Sequence, residues 1–279
     1  MCGTSASLCS HQALRLTIDL HSQYNLEGII ATVRAAEAKK SPAMILLFPW
    51  AQEYSHTLLA AAAHSACVAA KVPVTLHLDH AQTPEAVKFA ADTGCFDSIM
   101  VDMSHYEKEE NLRLTHELTQ YCHERGIVTE AEPGRMDGGE DGVMDTGDLE
   151  GILTTAEEAK RFVDTGIDWL APAFGNVHGK YGPQGPQLEY DRLDKINQEV
   201  GNKARLVLHG TDTFDDEIYG KCIGHGITKV NINSVVNQRY MSLHKEAKLG
   251  LTALTEQSTR EMQKEVEKCM DQLKSTGKA

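Results

Sequence analysis

Short runs of apolar and β-branched residues recur along this chain, and between them the apolar positions return every three or four residues. The short runs predict strands at 14–19, 43–48, 73–78, 98–101, 127–132, 169–172, 205–208 and 228–232. The intervening segments read as amphipathic helices. In 111–125, Leu114, Leu118, Tyr121 and Cys122 form one apolar stripe, and Gly126 follows where a helix C-cap glycine belongs. Strands that alternate with helices imply a parallel sheet, because parallel neighbours are joined by a crossover. Eight of them favour an α/β fold closed as a (β/α)₈ barrel over an open, doubly wound sheet. Neither linker nor low-complexity stretch interrupts the pattern, so 1–279 is expected to be a single domain, with 1–12 as a flexible N-terminus. The tail, 250–279, carries a further helix with Met262, Val266, Cys269, Met270 and Leu273 on one face. This appendage is expected either to cover the barrel or to pair with another subunit.

In a barrel the reacting groups gather at the C-terminal lip of the strands. Strand three ends in His77-Leu78-Asp79-His80 and strand four in Val101-Asp102-Met103-Ser104-His105. Strand five ends in Glu130-Ala131-Glu132, strand six runs into Asn176-Val177-His178-Gly179, strand seven into His209-Gly210, and strand eight into Asn231-Ile232-Asn233-Ser234. Five of these six ends deliver a histidine or a carboxylate. His80, His178 and His209, from three separate ends, would make an open zinc site with one position left for substrate. His64, His77, His116 and His123 read as packing or hydrogen-bonding residues, and the Cys222/His225 spacing as a helix-end coincidence. Asp79 and His80 are adjacent, so regular β structure would point them to opposite faces. Both reach the site only if the strand ends around them. Asp79 then reads either as a proton donor and acceptor or as a partner orienting a ligand histidine. The longest break in the alternation, 133–153, holds six glycines and the acidic run Gly138-Gly139-Glu140-Asp141-Gly142. It is read as a loop that closes over the site or as a solvated acidic surface loop.

Composition narrows the picture further. Twenty-seven Lys and Arg against forty Asp and Glu give a formal charge of −13, which argues against nucleic acid and anionic membranes as partners. An anionic substrate must then be held by a metal, by backbone N–H groups or by a few placed cations. No apolar run approaches a membrane span, and 1–12 has neither the basic nor the apolar region of a secretory signal. Seven scattered cysteines with no C-x-x-C pair suit reduced thiols in a cytoplasmic protein.

Taken together and in order, the motifs H-L-D-H (77–80), Asp102-x-Ser104-His105, Glu130-Ala131-Glu132, Gly138-Gly139-Glu140-Asp141, G-N-V-H-G-K-Y (175–181), His209-Gly210 and Lys229-Val230-Asn231-Ile232-Asn233 resemble the class II fructose-bisphosphate and tagatose-bisphosphate aldolases. The resemblance implies a TIM barrel that forms a homodimer or larger homo-oligomer. It also implies a catalytic Zn²⁺ and a small-molecule ketose phosphate of carbohydrate metabolism, glycolysis included, as substrate. His80, His178 and His209 match the zinc ligands, and Asp102 and Glu132 match carboxylates near a second metal position. Asp79 matches the acid/base at the aldehyde-side oxygen, Glu140 the mobile-loop acid that protonates the enediolate, and Asn231 the asparagine at the dihydroxyacetone portion. Gly179, Lys180, Gly210, Asp212, Asn231, Asn233 and Ser234 fall at substrate-binding positions, and some relatives add a monovalent cation such as Na⁺ or K⁺. The match departs at Asp212, where the family places a phosphate-binding serine, and at Phe48-Pro49-Trp50, where small polar residues are common. No arginine beyond Ser234 aligns with the one that holds the distal phosphate, with Arg239 the nearest candidate. These departures leave open a tagatose-bisphosphate aldolase or another ketose aldolase with altered phosphate recognition. A zinc-binding barrel without catalysis and a metal-assisted hydrolase remain as further alternatives.

Overall fold

The computed structural model describes residues 18–136, 138, 152–246 and 248–279, with the backbone alone for 18–22. Eight strands, β1 (Ile18–Ser22), β2 (Ala43–Leu47), β3 (Val74–Ala81), β4 (Ser98–Val101), β5 (Val128–Ala131), β6 (Trp169–Leu170), β7 (Arg205–Leu208) and β8 (Ile227–Ile232), pair in chain order, and β1 returns to β8 to close the barrel. Every pairing is parallel. The helices α1 (Leu26–Lys39), α2 (Pro49–Ser55), α3 (Leu58–Ala69), α4 (Pro84–Thr93), α5 (Lys108–His123), α6 (Ala156–Val163), α7 (Tyr190–Val200) and α8 (Asp216–Gly224) lie in the connections, and α9 (Ser234–Lys245) and α10 (Leu251–Gln272) follow β8.

Strand parity decides what faces inward. Ala43, Ile45, Leu47, Leu76, Leu78, Ile99, Val101, Leu206, Leu208, Val230 and Ile232 belong to the large buried core between strands and helices. Their neighbours Met44, Leu46, Met100, Trp169, Ala171 and Val207 form a separate cluster inside the barrel. Two-residue periodicity therefore aims Thr75, His77 and Asp79 inward from β3, and Glu130 and Glu132 inward from β5. By the same step Lys229 and Asn231 face inward from β8, and His209 continues the inward row of Val207.

Several strand boundaries differ from the sequence expectation, and those of β6 and β3 bear on the site. β6 stops at Leu170 instead of 172, since Pro172 carries no N–H to extend the ladder. β3 does not end at Leu78 but continues to Ala81 through a bulge. His77 and Leu78 pair with Ser98 and Ile99, whereas Ala81 pairs with Val101, so β3 holds one extra residue. That residue is accommodated at His80, whose φ is 48°. The bulge, rather than a strand end, resets the parity and turns both Asp79 and His80 into the barrel.

The chain segments that frame the lip are capped as their sequences dictate. α4 starts with Thr83 accepting from Ala86 N, with Pro84 as the first helical residue, and ends at left-handed Gly94. α6 carries a reciprocal capping box between Thr155 and Glu158. In α5, Leu114, Leu118 and Cys122 are buried, while Tyr121 lies at the flank with its hydroxyl on Asp92. The apolar face of α10, including Met262, Val266, Cys269 and Met270, is buried. Its end is fastened to α1: Lys39 Nζ lies 2.7 Å from Asp271 Oδ2, and Gly277 N and Ala279 N donate to the carbonyls of Lys39 and Lys40 at 2.9 Å.

Candidate active site

The bulged end of β3 supplies His80, the end of β7 supplies His209, and the loop after β6 supplies His178. One ring nitrogen from each lies within 4.8 Å of the others. His209 Nδ1 and His80 Nε2 are 3.1 Å apart, close to the ~3.3 Å that separates two nitrogens held tetrahedrally at zinc–imidazole distances. His178 Nε2 is buried without a partner. The outer nitrogens are held from behind, His80 Nδ1 at 2.8 Å from Asp102 Oδ2 and His209 Nε2 at 2.8 Å from Glu130 Oε1. Such partners fix the tautomer and aim the free nitrogen at a metal. Three imidazoles, two of them backed by carboxylates, fit zinc, whereas magnesium or calcium would call for oxygen ligands.

Electrostatics at the triad fit the same purpose. Burial would lower His80, but Asp79 and Asp102 beside it raise it to about 10, so a metal arriving there displaces a proton. Burial, with His80 and His209 adding to it, holds His178 well below the ordinary imidazole range and keeps it neutral. Asp102 also accepts from Ser104 N and Ser104 Oγ, at 3.2 and 2.7 Å. Burial opposes its ionisation, yet these bonds and His80 lower its carboxyl to about 2. Glu132 accepts from Met136 N at 2.9 Å, and its second oxygen is buried and unpartnered. Burial and the charge of Asp102 push this carboxyl well above its usual range.

Beside the triad, Asp79 is 1 % exposed. Asn231 Nδ2 donates to its Oδ2 at 2.8 Å, and its Oδ1 has no hydrogen-bond partner. Burial would raise Asp79, but the charge of His80, the nearby His77, His209 and Lys229 together hold it well below the carboxylate range. It is thus held as an anion beside the triad, with its Oδ1 free of hydrogen bonds and 3.7 Å from His77 Nε2, the state a proton acceptor needs. Asn231 is fixed in turn, because Lys229 Nζ donates to its Oδ1 at 2.9 Å and to Glu130 Oε2 at 2.6 Å.

The loops after β6 and β7 are tied together around His178. Asn176 Nδ2 donates to His209 O at 3.1 Å, and Tyr181 OH donates to Gly210 O at 2.6 Å. Gly210, at φ 68°, packs so closely that a Cβ would sit 2.2 Å from Val177 O, so glycine is required there by crowding as well as by conformation. Gly179 follows His178, and Lys180 is exposed. Asp212 is half-buried on the β7 side and hydrogen-bonded to Ser234 at the start of α9; burial raises its carboxyl while that bond opposes the rise. Asn233 Oδ1 accepts from Tyr24 OH at 3.1 Å. Glu140 lies outside the described residues.

This arrangement has counterparts in known proteins. The family model described as "Fructose-bisphosphate aldolase class-II" matches residues 12–278. The chain belongs to the class II fructose-bisphosphate aldolase family. A Coccidioides immitis protein provisionally named a fructose-bisphosphate aldolase is 62 % identical over 265 residues, 92 % of this chain and 88 % of that one. A crystal structure of a provisionally named fructose-1,6-bisphosphate aldolase from the same organism superposes with a TM-score of 0.93 at 61 % identity, covering 95 % of this chain and 93 % of that one. The fructose-bisphosphate aldolase of Streptococcus pneumoniae serotype 4 is 39 % identical over 75 % of this chain and 71 % of its own. The YdjI aldolase of Escherichia coli K12 superposes with a TM-score of 0.82 at 29 % identity, covering 95 % and 94 % of the two chains. The aldolase described here is therefore a lyase built on the family's barrel.

Three groups that support the site were missed by the sequence reading. In the sequence Glu130 and Lys229 stand only as members of motifs, and His77 reads as a packing or hydrogen-bonding residue. His77 is buried, with Nδ1 at 2.7 Å from Ser98 Oγ and Nε2 at 3.7 Å from both Asp79 Oδ1 and Glu130 Oε2. The signal was the i, i+2 step: His77 precedes Asp79, Glu130 precedes Glu132, and Lys229 precedes Asn231 by one strand period each.

Proposed function

We propose that this aldolase carries out metal-dependent, reversible aldol cleavage of a ketose phosphate, with fructose 1,6-bisphosphate the first substrate to test. The observation that carries this reading is the convergence of His80, His178 and His209 beside an ionised Asp79 with one free oxygen. His80, His178 and His209 would hold the zinc, which supplies a Lewis acid for the negative charge that develops on the ketone half. Asp79 takes the proton from the hydroxyl at the bond that breaks, and Asn231 orients both Asp79 and the substrate. Asp102 and Glu130 keep the ring nitrogens of His80 and His209 aimed at the site. Glu132, whose ionisation burial and the charge of Asp102 oppose, would offer its unpartnered oxygen as a further metal ligand once deprotonated. Gly179, Lys180, Gly210, Asn233 and Ser234 line the substrate side, and Glu140 is assigned the proton at the enediolate carbon on the family resemblance.

The test is cleavage of fructose 1,6-bisphosphate by zinc-loaded protein, with released dihydroxyacetone phosphate coupled to reduction. Activity lost on adding EDTA and restored by zinc supports the reading, and stoichiometric zinc with no cleavage of any ketose sinks it. Asp212 favours a second reading of the substrate, a ketose with fewer phosphates, because a carboxylate at the start of α9 repels a phosphate dianion. We also infer a homo-oligomer in a reducing cytoplasm. Tyr54, Leu58 and Leu251 are 76–80 % exposed, and no disulfide joins the five described cysteines. Sedimentation as a monomer would remove the first of these.

A further inference from the structure

Two of the three histidines lie beyond the strands that precede them, His178 on the long connection after β6 and His209 just past β7. The rings of His178 and His209 each meet that of His80 edge-on, at 5.0 and 4.9 Å between centroids. Between themselves they are farther apart, at 5.8 Å with their planes 43° askew. His178 sits between two glycines in the left-handed region, Gly175 and Gly179, at φ 103° and 82°. Its placement against His209 therefore depends on the bonds that tie this irregular segment to the end of β7.

One hydroxyl makes such a tie on both sides. Tyr181 OH accepts from Val177 N at 3.2 Å and donates to Gly210 O at 2.6 Å. Val177 is the residue before His178, and Gly210 is the residue after His209. A single oxygen thus bridges the two backbones one step from each histidine. Burial pushes the phenol above its ordinary range, so it keeps the proton that it donates. The ring is steadied by Phe214, 5.6 Å away, which in turn meets Tyr219 of α8 at 5.7 Å. The bridge works beside the close approach of Gly210 to Val177 O and the bond from Asn176 Nδ2 to His209 O at 3.1 Å. Of these ties, the hydroxyl is the one that can be removed as a single atom with the packing around it left in place.

Resting on the zinc-aldolase reading, we propose that Tyr181 is a positioning residue for the metal: its hydroxyl sets the separation of His178 and His209, and with it how tightly the three histidines bind the ion. Tyr181→Phe removes that oxygen and keeps the ring against Phe214. Zinc affinity is read by competition with a chromophoric chelator, and ligand geometry by the visible absorption of the cobalt(II)-substituted protein. Tyr181→Phe is expected to weaken zinc binding by about 10–100-fold and to shift the cobalt bands. The metal-free variant is expected to unfold in urea close to the wild-type midpoint. Cobalt bands that do not move overturn the inference, and with a lowered metal-free midpoint they make the hydroxyl a brace of the fold alone. Zinc affinity equal to that of wild type overturns it as well. His178→Ala tests the reading underneath. Wild-type protein that takes up no zinc, or a His178→Ala variant that binds it as tightly as wild type, overturns the zinc reading and this inference together.

Discussion

At the scale of single residues, the site depends on a carboxylate kept ionised and unblocked beside the triad. Asp79 has one oxygen held by Asn231 and the other free of hydrogen bonds. Asp79→Asn keeps the shape and the bond capacity of the side chain but removes the proton acceptor. It is expected to lower kcat by about 10²–10⁴-fold while zinc content by metal analysis stays at the wild-type level. Equal loss of zinc and activity would instead make Asp79 a support for the ligands. Glu130 works one step further back, bonding His209 Nε2 at 2.8 Å and Lys229 Nζ at 2.6 Å inside the barrel. Burial disfavours its charge, but Lys229 and His209 lower its carboxyl to about 2. Glu130→Gln leaves Lys229 as an uncompensated buried cation and frees the tautomer of His209. The expected cost is about 3–5 kcal/mol in denaturant unfolding, with zinc affinity down about 10–100-fold. A variant as stable as wild type, with unchanged zinc affinity, would show that the buried network is dispensable.

At the scale of elements, the alternation of apolar runs and helical stripes disclosed the barrel because both periods are written locally, two residues for a strand and 3.6 for a helix. Most inward residues follow from parity alone once a strand is placed. The bulge at His80 does not, because it is set by how β3 registers against β4, a relation between segments that no local pattern contains. The same limit applied to α10, whose apolar face was legible but whose partner was not. That partner is α1 of the same chain, and the contact is pinned at its end by charge. Asp271 is held below its ordinary value of 3.8 by the hydrogen bond from Lys39, then by Thr276. A depressed folded pKa contributes stability that is present above 3.8 and lost as pH falls through the lowered value. The tail amides of Gly277 and Ala279, bonded to Lys39 O and Lys40 O, are therefore expected to lose protection, taken against the intrinsic exchange rate at each pH, only below pH 3.8. Asp271→Asn is expected to show the loss of protection already at neutral pH. Exchange indifferent to both changes would mean that burial of Met270 and Leu273 alone fastens the tail.

For the whole molecule, the barrel is a closed ring in which each strand depends on both neighbours, and the proposed metal bridges three points of that ring. His80 belongs to β3, His178 follows β6 and His209 follows β7, so one ion couples positions far apart in sequence. Without it, the triad leaves His178 Nε2 buried and unpaired and His80 carrying a proton among carboxylates. Metal binding to the folded chain alone stabilises it by about 2.7 kcal/mol when free metal stands a hundred-fold above its dissociation constant. For a domain of this size each kcal/mol moves the melting temperature by about 2–4 °C. Removal of zinc by EDTA is thus expected to lower Tm by about 5–10 °C in calorimetry, and zinc, added back in excess, to restore it. Because His80 must lose its proton first, the gain in Tm at fixed free zinc is expected to grow from pH 6 to pH 8. A Tm insensitive to EDTA would place the three histidines in a proton-sharing cluster rather than a metal centre, and the acid–base roles assigned around them would fall with it.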